Sequence, residues 1–490
     1  MTEPFVHIEN LSLKFRKNVV WADLCWKINK GEQWLLTGTS GSGKTALAKV
    51  IAGLMHARGS VQVNYEGDLP ARTLYVAQWF SFKDKQGKAD FYYQQRYNST
   101  ESEDCNTVWE EISAYCLKLG KPELEGMAVL KDFELLHRKD APLIQLSSGE
   151  HKKLQLSKAL LLQPQLLILD NPYTGLDTKT RGNLNTLLEQ ACKNGMQLLL
   201  INNDGNEPEC ISHYARLENG SLLLATEASK DESEITAPFS AGFTLPAFLE
   251  TTPDDLEELV SLKNVNIKYG DHLVLDHINW TVRTGEKWLL HGPNGSGKST
   301  LLSLLTGDNP QAYANEIYLF GKKRGTGESI WDIKKNIGFI SPEMQWYFEP
   351  YATVFQTIAS GFFDTAGLFR QVSHVQAEKV RELMLLLDLA GEEHTLITQL
   401  PLGKQRLAFL ARAIVKNPPL LILDEPCQGL DQQQTRLFNH LVDALCTGKR
   451  SLIYVGHFEN RLPNCIEYRL GLNKGVATHI EHLIEQEITT

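Results

Sequence analysis

The chain has 490 residues, 42% apolar and 22% charged, with 36 glycines and 19 prolines. Several domains of ~150 residues fit that length better than one hydrophobic core, and the composition excludes a disordered, collagen-like or disulfide-stapled chain. The formal charge, 49 − 59 = −10, argues against a bulk electrostatic grip on nucleic acid or anionic lipid.

The N-terminal MTEPFVHIEN carries neither the basic nor the apolar region of a signal peptide. No run reaches the ~18–20 apolar residues of a membrane-spanning helix. The expected location is the cytoplasm, with the inner face of a membrane reached only through a partner. Alternating side chains predict a strand over Val6–Phe15. An apolar strand, Trp34–Thr37, runs into GTSGSGKT, and a helix over Thr45–Ala52 stops at Gly53. Residues 80–145 read as largely helical. A helix over His151–Leu162 then leads to a buried strand, Leu166–Asp170.

The same order recurs. Strands over Leu262–Tyr269 and Trp288–His291 precede GPNGSGKS, and a helix over Thr300–Thr306 stops at Gly307. A largely helical 343–400 leads to a helix over Gln405–Val415 and a strand over Leu420–Asp424. Lys44 to Lys298, Asp170 to Asp424, Asp177 to Asp431, Gly149 to Gly403 and Phe15 to Tyr269 are all 254 residues apart. Five marks at one offset mean a duplicated domain. The expected fold is α/β: two P-loop domains in tandem, each a mostly parallel sheet with a helical subdomain. The expected boundaries are 1–225 and 259–490, with an acidic, Ser/Thr/Pro-rich linker over 226–258.

Both Gly-rich loops fit GxxxxGK[ST]. Placed between strand and helix, such a loop turns its backbone N–H groups inward as an anion nest, and the helix adds its positive end. Gly38, Thr39, Ser40, Gly41, Ser42, Gly43, Lys44 and Thr45 form the first nest. Gly292, Pro293, Asn294, Gly295, Ser296, Gly297, Lys298 and Ser299, with Thr300 behind them, form the second. Lys44 and Lys298 would reach β- and γ-phosphates, and Thr45 and Ser299 would place a hydroxyl on Mg²⁺. Asp170 and Asp424 end buried strands, where a carboxylate is costly without a cationic or hydrogen-bonding partner. A Mg²⁺ beside the loop is such a partner. The nucleotide and ion expected are ATP and Mg²⁺.

Each half therefore resembles the nucleotide-binding domain of an ATP-binding cassette (ABC) protein. The whole chain resembles the tandem ATPases of the ModF-type molybdenum-transport family, some of which carry the name photorepair protein. LPLGKQRLAFLARAIVKNPPLLILDEP, SIWDIKKNIG and DFYYQQRYNS carry that second likeness. The resemblance implies that the two cassettes stack head to tail, each ATP lying between the loop of one and the signature segment of the other. Those signatures are LSSGE, with Ser147 and Gly149, and LPLGK, with Gly403. Ser147 and Glu150 also form a capping-box pattern. Pro401 supplies neither hydroxyl nor N–H and reads as a proline opening a helix. Lys404 could add a compensating charge.

The resemblance further implies a catalytic Glu425 with a switch His457, where the first half has Asn171 and Asn203. An amide cannot take a proton from the attacking water. Phe15 and Tyr269 stand where an aromatic ring stacks on adenine. Gln78 stands where a glutamine helps hold the metal; the second half has Pro342 there, with Gln345 nearby. Head-to-tail pairing then gives one weak and one competent site. The first takes Lys44, Thr45, Asp170, Asn171 and Asn203 with LPLGK. The second takes Lys298, Ser299, Asp424, Glu425 and His457 with LSSGE.

The implied function is an ATPase that drives or regulates a membrane importer through permease subunits, molybdate being the substrate class. The competing reading is an ATP-driven clamp on nucleic acid or ribosomes. The aromatic and basic stretch Lys83–Ser99 suits base stacking or partner docking alike. Eight cysteines without a CxxC pair or zinc-type spacing read as reduced, mostly buried thiols.

Overall fold

The computed structural model describes residues 3–15, 18–66, 73–78, 105–143, 146–203, 205–225, 244–250, 256–270, 272–342, 344, 348–456 and 462–483. They fall into two compact units, within 3–225 and 244–483. His457, Gln345 and Lys83–Ser99 lie outside the described residues.

In the first unit β1 (Val6–Phe15) and β2 (Asn18–Ile28) form an antiparallel hairpin. Then come β3 (Trp34–Thr37), α1 (Lys44–Ile51), β4 (Arg58–Val63) and β5 (Thr73–Val76). Helices α2 (Val108–Leu119) and α3 (Glu123–Asp132) make up the helical middle, and α4 (Ser148–Leu162) returns the chain to β6 (Leu166–Asp170). The half ends with α5 (Thr178–Lys193), β7 (Gln197–Ile201), β8 (His213–Glu218) and β9 (Ser221–Ala225). The core sheet runs β5-β6-β7-β3-β8-β9, parallel except for the last pair.

The second unit begins with a short helix, α6 (Ala247–Glu250), and repeats the plan with β10 (Glu258–Tyr269), β11 (His272–Arg283), β12 (Lys287–His291) and α7 (Lys298–Leu305). A small hairpin, β13 (Glu316–Leu319) and β14 (Lys322–Lys323), precedes α8 (Ile330–Lys334) and β15 (Ile337–Ile340). Helices α9 (Val354–Ala359) and α10 (His374–Leu386) form its helical part. Next are α11 (Leu402–Ile414), β16 (Leu420–Asp424), α12 (Gln432–Leu445), β17 (Ser451–Val455), β18 (Tyr468–Asn473) and β19 (Val476–His482). The sheet order β15-β16-β17-β12-β18-β19 repeats the first.

The central strands are buried on both faces and read as unbroken apolar runs, as parallel strands covered on both sides must. The duplication reaches the packing. Trp26 meets Trp34 edge-on at 5.2 Å and Trp280 meets Trp288 at 5.6 Å, pairs that are 254 residues apart.

Three expectations shift. Both loop helices begin at the lysine, earlier than expected, because Gly43 and Gly297 take left-handed backbone immediately before it. Pro401 is the N-cap of α11 rather than its first helical residue. Of the cysteines only Cys116 and Cys446 are buried, Cys25 is exposed and the other five are half-buried.

Candidate functional site

Each Gly-rich loop leaves a buried strand and turns at a glycine that no other residue can replace. Gly38 has φ +140° and Gly292 φ +150°, and an added Cβ would stand 2.1 Å from the carbonyl oxygen of Leu217 or Leu472. Lys44 folds back to donate to the Gly38 and Thr39 carbonyls at 2.7 and 2.8 Å. Lys298 does the same to Gly292 and Pro293 at 2.7 and 3.1 Å. Among the described residues the Ser42 and Ser296 hydroxyls are buried and lack a partner. Two nests, each with one orphaned hydroxyl at the equivalent position, fit a bound phosphate chain.

The sheet brings the acid to the loop. β6 is one strand removed from β3, with β7 between, and Asp170 ends β6. Thr45 donates its hydroxyl to Asp170 Oδ2 at 2.7 Å. A hydroxyl and a carboxylate in contact are the hard oxygen set that Mg²⁺ takes. Tyr75 donates to the same carboxylate oxygen at 3.0 Å, and Asn171 Nδ2 to the other at 3.2 Å. Burial, then the Asp170 charge, push the Tyr75 phenol far above its ordinary range, so it stays a donor. The second half has Phe339 at the same place in the sheet, since Tyr75 pairs with Ile168 and Phe339 with Ile422. Asp424 thus meets no tyrosine hydroxyl there and is half-buried, whereas Asp170 is buried. Ser299 is the second residue of α7.

The residue after each acid has the same unusual backbone. Asn171 has φ 44° and Glu425 φ 42°. Asn171 N–H donates to Ile201 O at 2.8 Å, and Glu425 N–H donates to Val455 O at 3.0 Å. The two side chains therefore leave the sheet from one place. Glu425 accepts from Gln428 Nε2 at 2.9 Å. Asn203 holds the first loop directly. Its Oδ1 accepts from Gly38 N–H at 3.3 Å and its Nδ2 donates to Gly38 O at 3.0 Å.

The signature segments differ as capped and uncapped helix starts. Ser147 accepts from the Glu150 N–H and Glu150 answers to the Ser147 N–H, closing the capping box. Gly149 is buried in that first turn. Pro401 gives α11 no side-chain cap. A Cβ on Gly403 would meet Gln434 Nε2 at 2.6 Å. Lys404 lies 3.8 Å from Glu392 and 3.9 Å from Asp388.

Tyr269 ends β10, is 40% exposed and accepts from Asn309 Nδ2 at 2.9 Å. Phe15 ends β1 at the equivalent position. Gln78 follows β5, and its Nε2 is buried and has no partner among the described residues. Lys152 and Arg406 are among the buried cations that escaped the sequence reading. Lys152 donates to Ala77 O and Gln78 O at 2.8 and 3.2 Å, and burial pushes its pKa down to about 7, partly offset by Asp170. Arg406 donates to Gln428 O at 3.2 Å, and burial lowers its pKa to about 10. The signal was a cation on the helix after each signature segment at the repeat offset, 406 − 152 = 254.

The family model for ABC transporters matches residues 21–174 and 275–428, which bracket the two loops and acids just described. The chain belongs to the ABC transporter ATP-binding family. Similarity extends over nearly its whole length to the ABC transporter ATP-binding protein ModF of Escherichia coli, 34% identical over 92% of this chain and 95% of that one. An uncharacterized ABC transporter ATP-binding protein of Schizosaccharomyces pombe is 29% identical over 96% of this chain and 98% of its own. The zinc uptake ATP-binding protein ZurA of Listeria monocytogenes matches 45% of this chain at 31% identity, using 85% of its own length, as a single cassette would. The chain is a tandem ABC ATPase, and ATP hydrolysis is its activity. Among the described residues no helix is long and apolar enough to cross a membrane.

Proposed function

We propose that this ABC ATPase hydrolyses ATP mainly at its second loop and spends that turnover on a membrane importer whose permease is a separate chain. The observation that carries the reading is the pair Asn171 and Glu425: one backbone position, φ 44° and 42°, with an amide in one half and a carboxylate in the other. A carboxylate there can orient water and take its proton; an amide can only orient it.

In this reading the halves pair head to tail. Lys298 and the Gly292–Ser299 loop hold the phosphates, Tyr269 stacks on adenine, and Glu425 with His457 acts on the attacking water. Ser147 and Gly149 of LSSGE close the site from the other half. Lys44, Thr45, Asp170, Gln78 and Phe15 make the partner site, which LPLGK with Gly403 closes and which retains ATP with little turnover. Mg²⁺, held by Ser299 and Asp424 or by Thr45 and Asp170, would neutralise charge on the β- and γ-phosphates. Molybdate is the cargo class that the resemblance to ModF-type proteins suggests.

Affinity capture of the full chain from its native cells, followed by mass spectrometry, tests the importer. Permease subunits in the capture support it. Ribosomal or DNA-repair proteins in their place would overturn it in favour of a clamp on nucleic acid.

A further inference from the structure

The fold assembles thiol pairs that no CxxC spacing announces. Cys192 lies in the last turn of α5, and Cys210 lies in the turn before β8, 18 residues on. Their sulfurs share a hydrogen bond at 3.5 Å. Cys446 is the C-cap of α12, and Cys465 lies in the turn before β18, 19 residues on. The Cys446 side chain, then burial, push the Cys465 thiol above its ordinary range. The offsets, 446 − 192 = 254 and 465 − 210 = 255, place the pairs in the same corner of each half.

A third group is repeated with them. Glu189 on α5 accepts the Glu209 N–H at 3.0 Å. Asp443 on α12, 254 residues later, accepts the Cys465 N–H at 2.8 Å and Asn464 Nδ2 at 3.1 Å. In each half a helix carboxylate thus ties the turn to the helix and holds one thiol against the other. A disulfide needs its sulfurs ~2.05 Å apart, so the first pair has to draw together from 3.5 Å.

We propose that Cys192–Cys210 and Cys446–Cys465 form a duplicated dithiol modification site, each pair closing to a disulfide by exchange with a small-molecule disulfide such as oxidised glutathione. The Cys210 thiolate attacks one glutathione sulfur, the glutathione S–S bond breaks, and one glutathione thiol leaves. Cys192 then loses its proton and attacks the Cys210 sulfur, releasing the second glutathione thiol. Two protein thiols are oxidised by two electrons, and one oxidised glutathione is reduced. Cys446 is buried, whereas Cys192 and Cys210 are both half-buried. The first pair therefore closes first. Its loop encloses β7 and Asn203, the residue that grips Gly38.

The test treats the full-length wild-type chain with oxidised glutathione, blocks the remaining thiols and maps peptides without reduction. The expected result is a Cys192–Cys210 cross-link first and a Cys446–Cys465 cross-link later, both lost in dithiothreitol, with exposed Cys25 taking only a glutathione adduct. Cys192→Ser should leave Cys210 as a lasting adduct. Glutathione on wild-type Cys210 with no cross-link to Cys192, or scrambled cross-links among other cysteines, would overturn the proposal.

Discussion

The two halves share a backbone and part company in side chains. β6 with β7 and β16 with β17 keep the same parallel alignment, so Asp170 stands opposite Ile201 and Asp424 opposite Val455. The next residue in each half is held in left-handed backbone by the same type of N–H contact. Around that common frame the first half surrounds its acid with three protein donors, from Thr45, Tyr75 and Asn171. The second replaces the tyrosine by Phe339 and the asparagine by Glu425. A duplicated fold thus keeps one loop and strand-end geometry while the side chains around it diverge. Unequal turnover at the two loops is what the proposed function expects of that divergence.

The largest expected effect follows from the residue after the acid. Glu425→Gln should lower ATP turnover by about 10²–10⁴-fold, the range for losing a positioned base, with ATP still bound. Asn171→Glu should leave turnover nearly unchanged, because LPLGK and Asn203 still limit that site. Steady-state hydrolysis with a Lys298→Ala control measures both. A rise from Asn171→Glu as large as the fall from Glu425→Gln would sink the unequal-site reading.

The next effect concerns the signatures. Ser147→Arg removes the capped helix start and puts bulk where the proposed head-to-tail pairing brings the γ-phosphate. Turnover should fall by about 10²-fold, as when one transition-state donor is lost. Pro401→Arg alters a start that had no side-chain cap and should cost far less. Equal losses in the two variants would mean that both sites turn over alike.

Much of this was legible in the sequence because it rests on short-range chemistry. The loops, the terminal acids and the Ser147 capping box each need particular residue types at fixed spacing, and the 254-residue offset doubled the signal of the loops and acids. What escaped depends on contacts far along the chain. Tyr75 meets Asp170 across 95 residues, and Lys152 reaches back to Ala77 and Gln78. The cysteine pairs need the turn before β8 or β18 to fold onto a helix end. Phe15, Gln345 and His457 were placed by likeness alone, and their side chains lie outside the described residues.

A third prediction tests what the halves share. Gly38→Ala and Gly292→Ala each force a Cβ to within 2.1 Å of a strand carbonyl at a backbone angle that side chains rarely adopt. Relief of the clash must move the loop off its strand. Backbone strain of about 1–3 kcal/mol should appear as similar losses of stability in urea unfolding. A loss confined to one variant would show that the loops are not held alike.

The smallest effect is a slope with pH. Lys416, just beyond α11, is buried beside Asp364 and donates to Lys334 O at 2.6 Å. Burial pushes its pKa down to about 8, with Asp364 partly offsetting. The first half has Leu162 at the equivalent position, 416 − 254 = 162. An unfolded lysine titrates near ~10.4, so between about pH 8 and 10 the unfolded chain binds more protons than the folded one. Stability linked to Lys416 therefore rises with pH across that window, by at most about 1.4 kcal/mol per pH unit, and is flat below it. Lys416→Leu imports the first half's residue and should remove that rise, whatever it does to stability at pH 7. Urea midpoints for the wild type and the variant at pH 7, 8 and 9 read the difference, since every other titrating group is common to both. Parallel profiles would mean that Lys416 keeps an ordinary pKa and that its carboxylate partner outweighs burial.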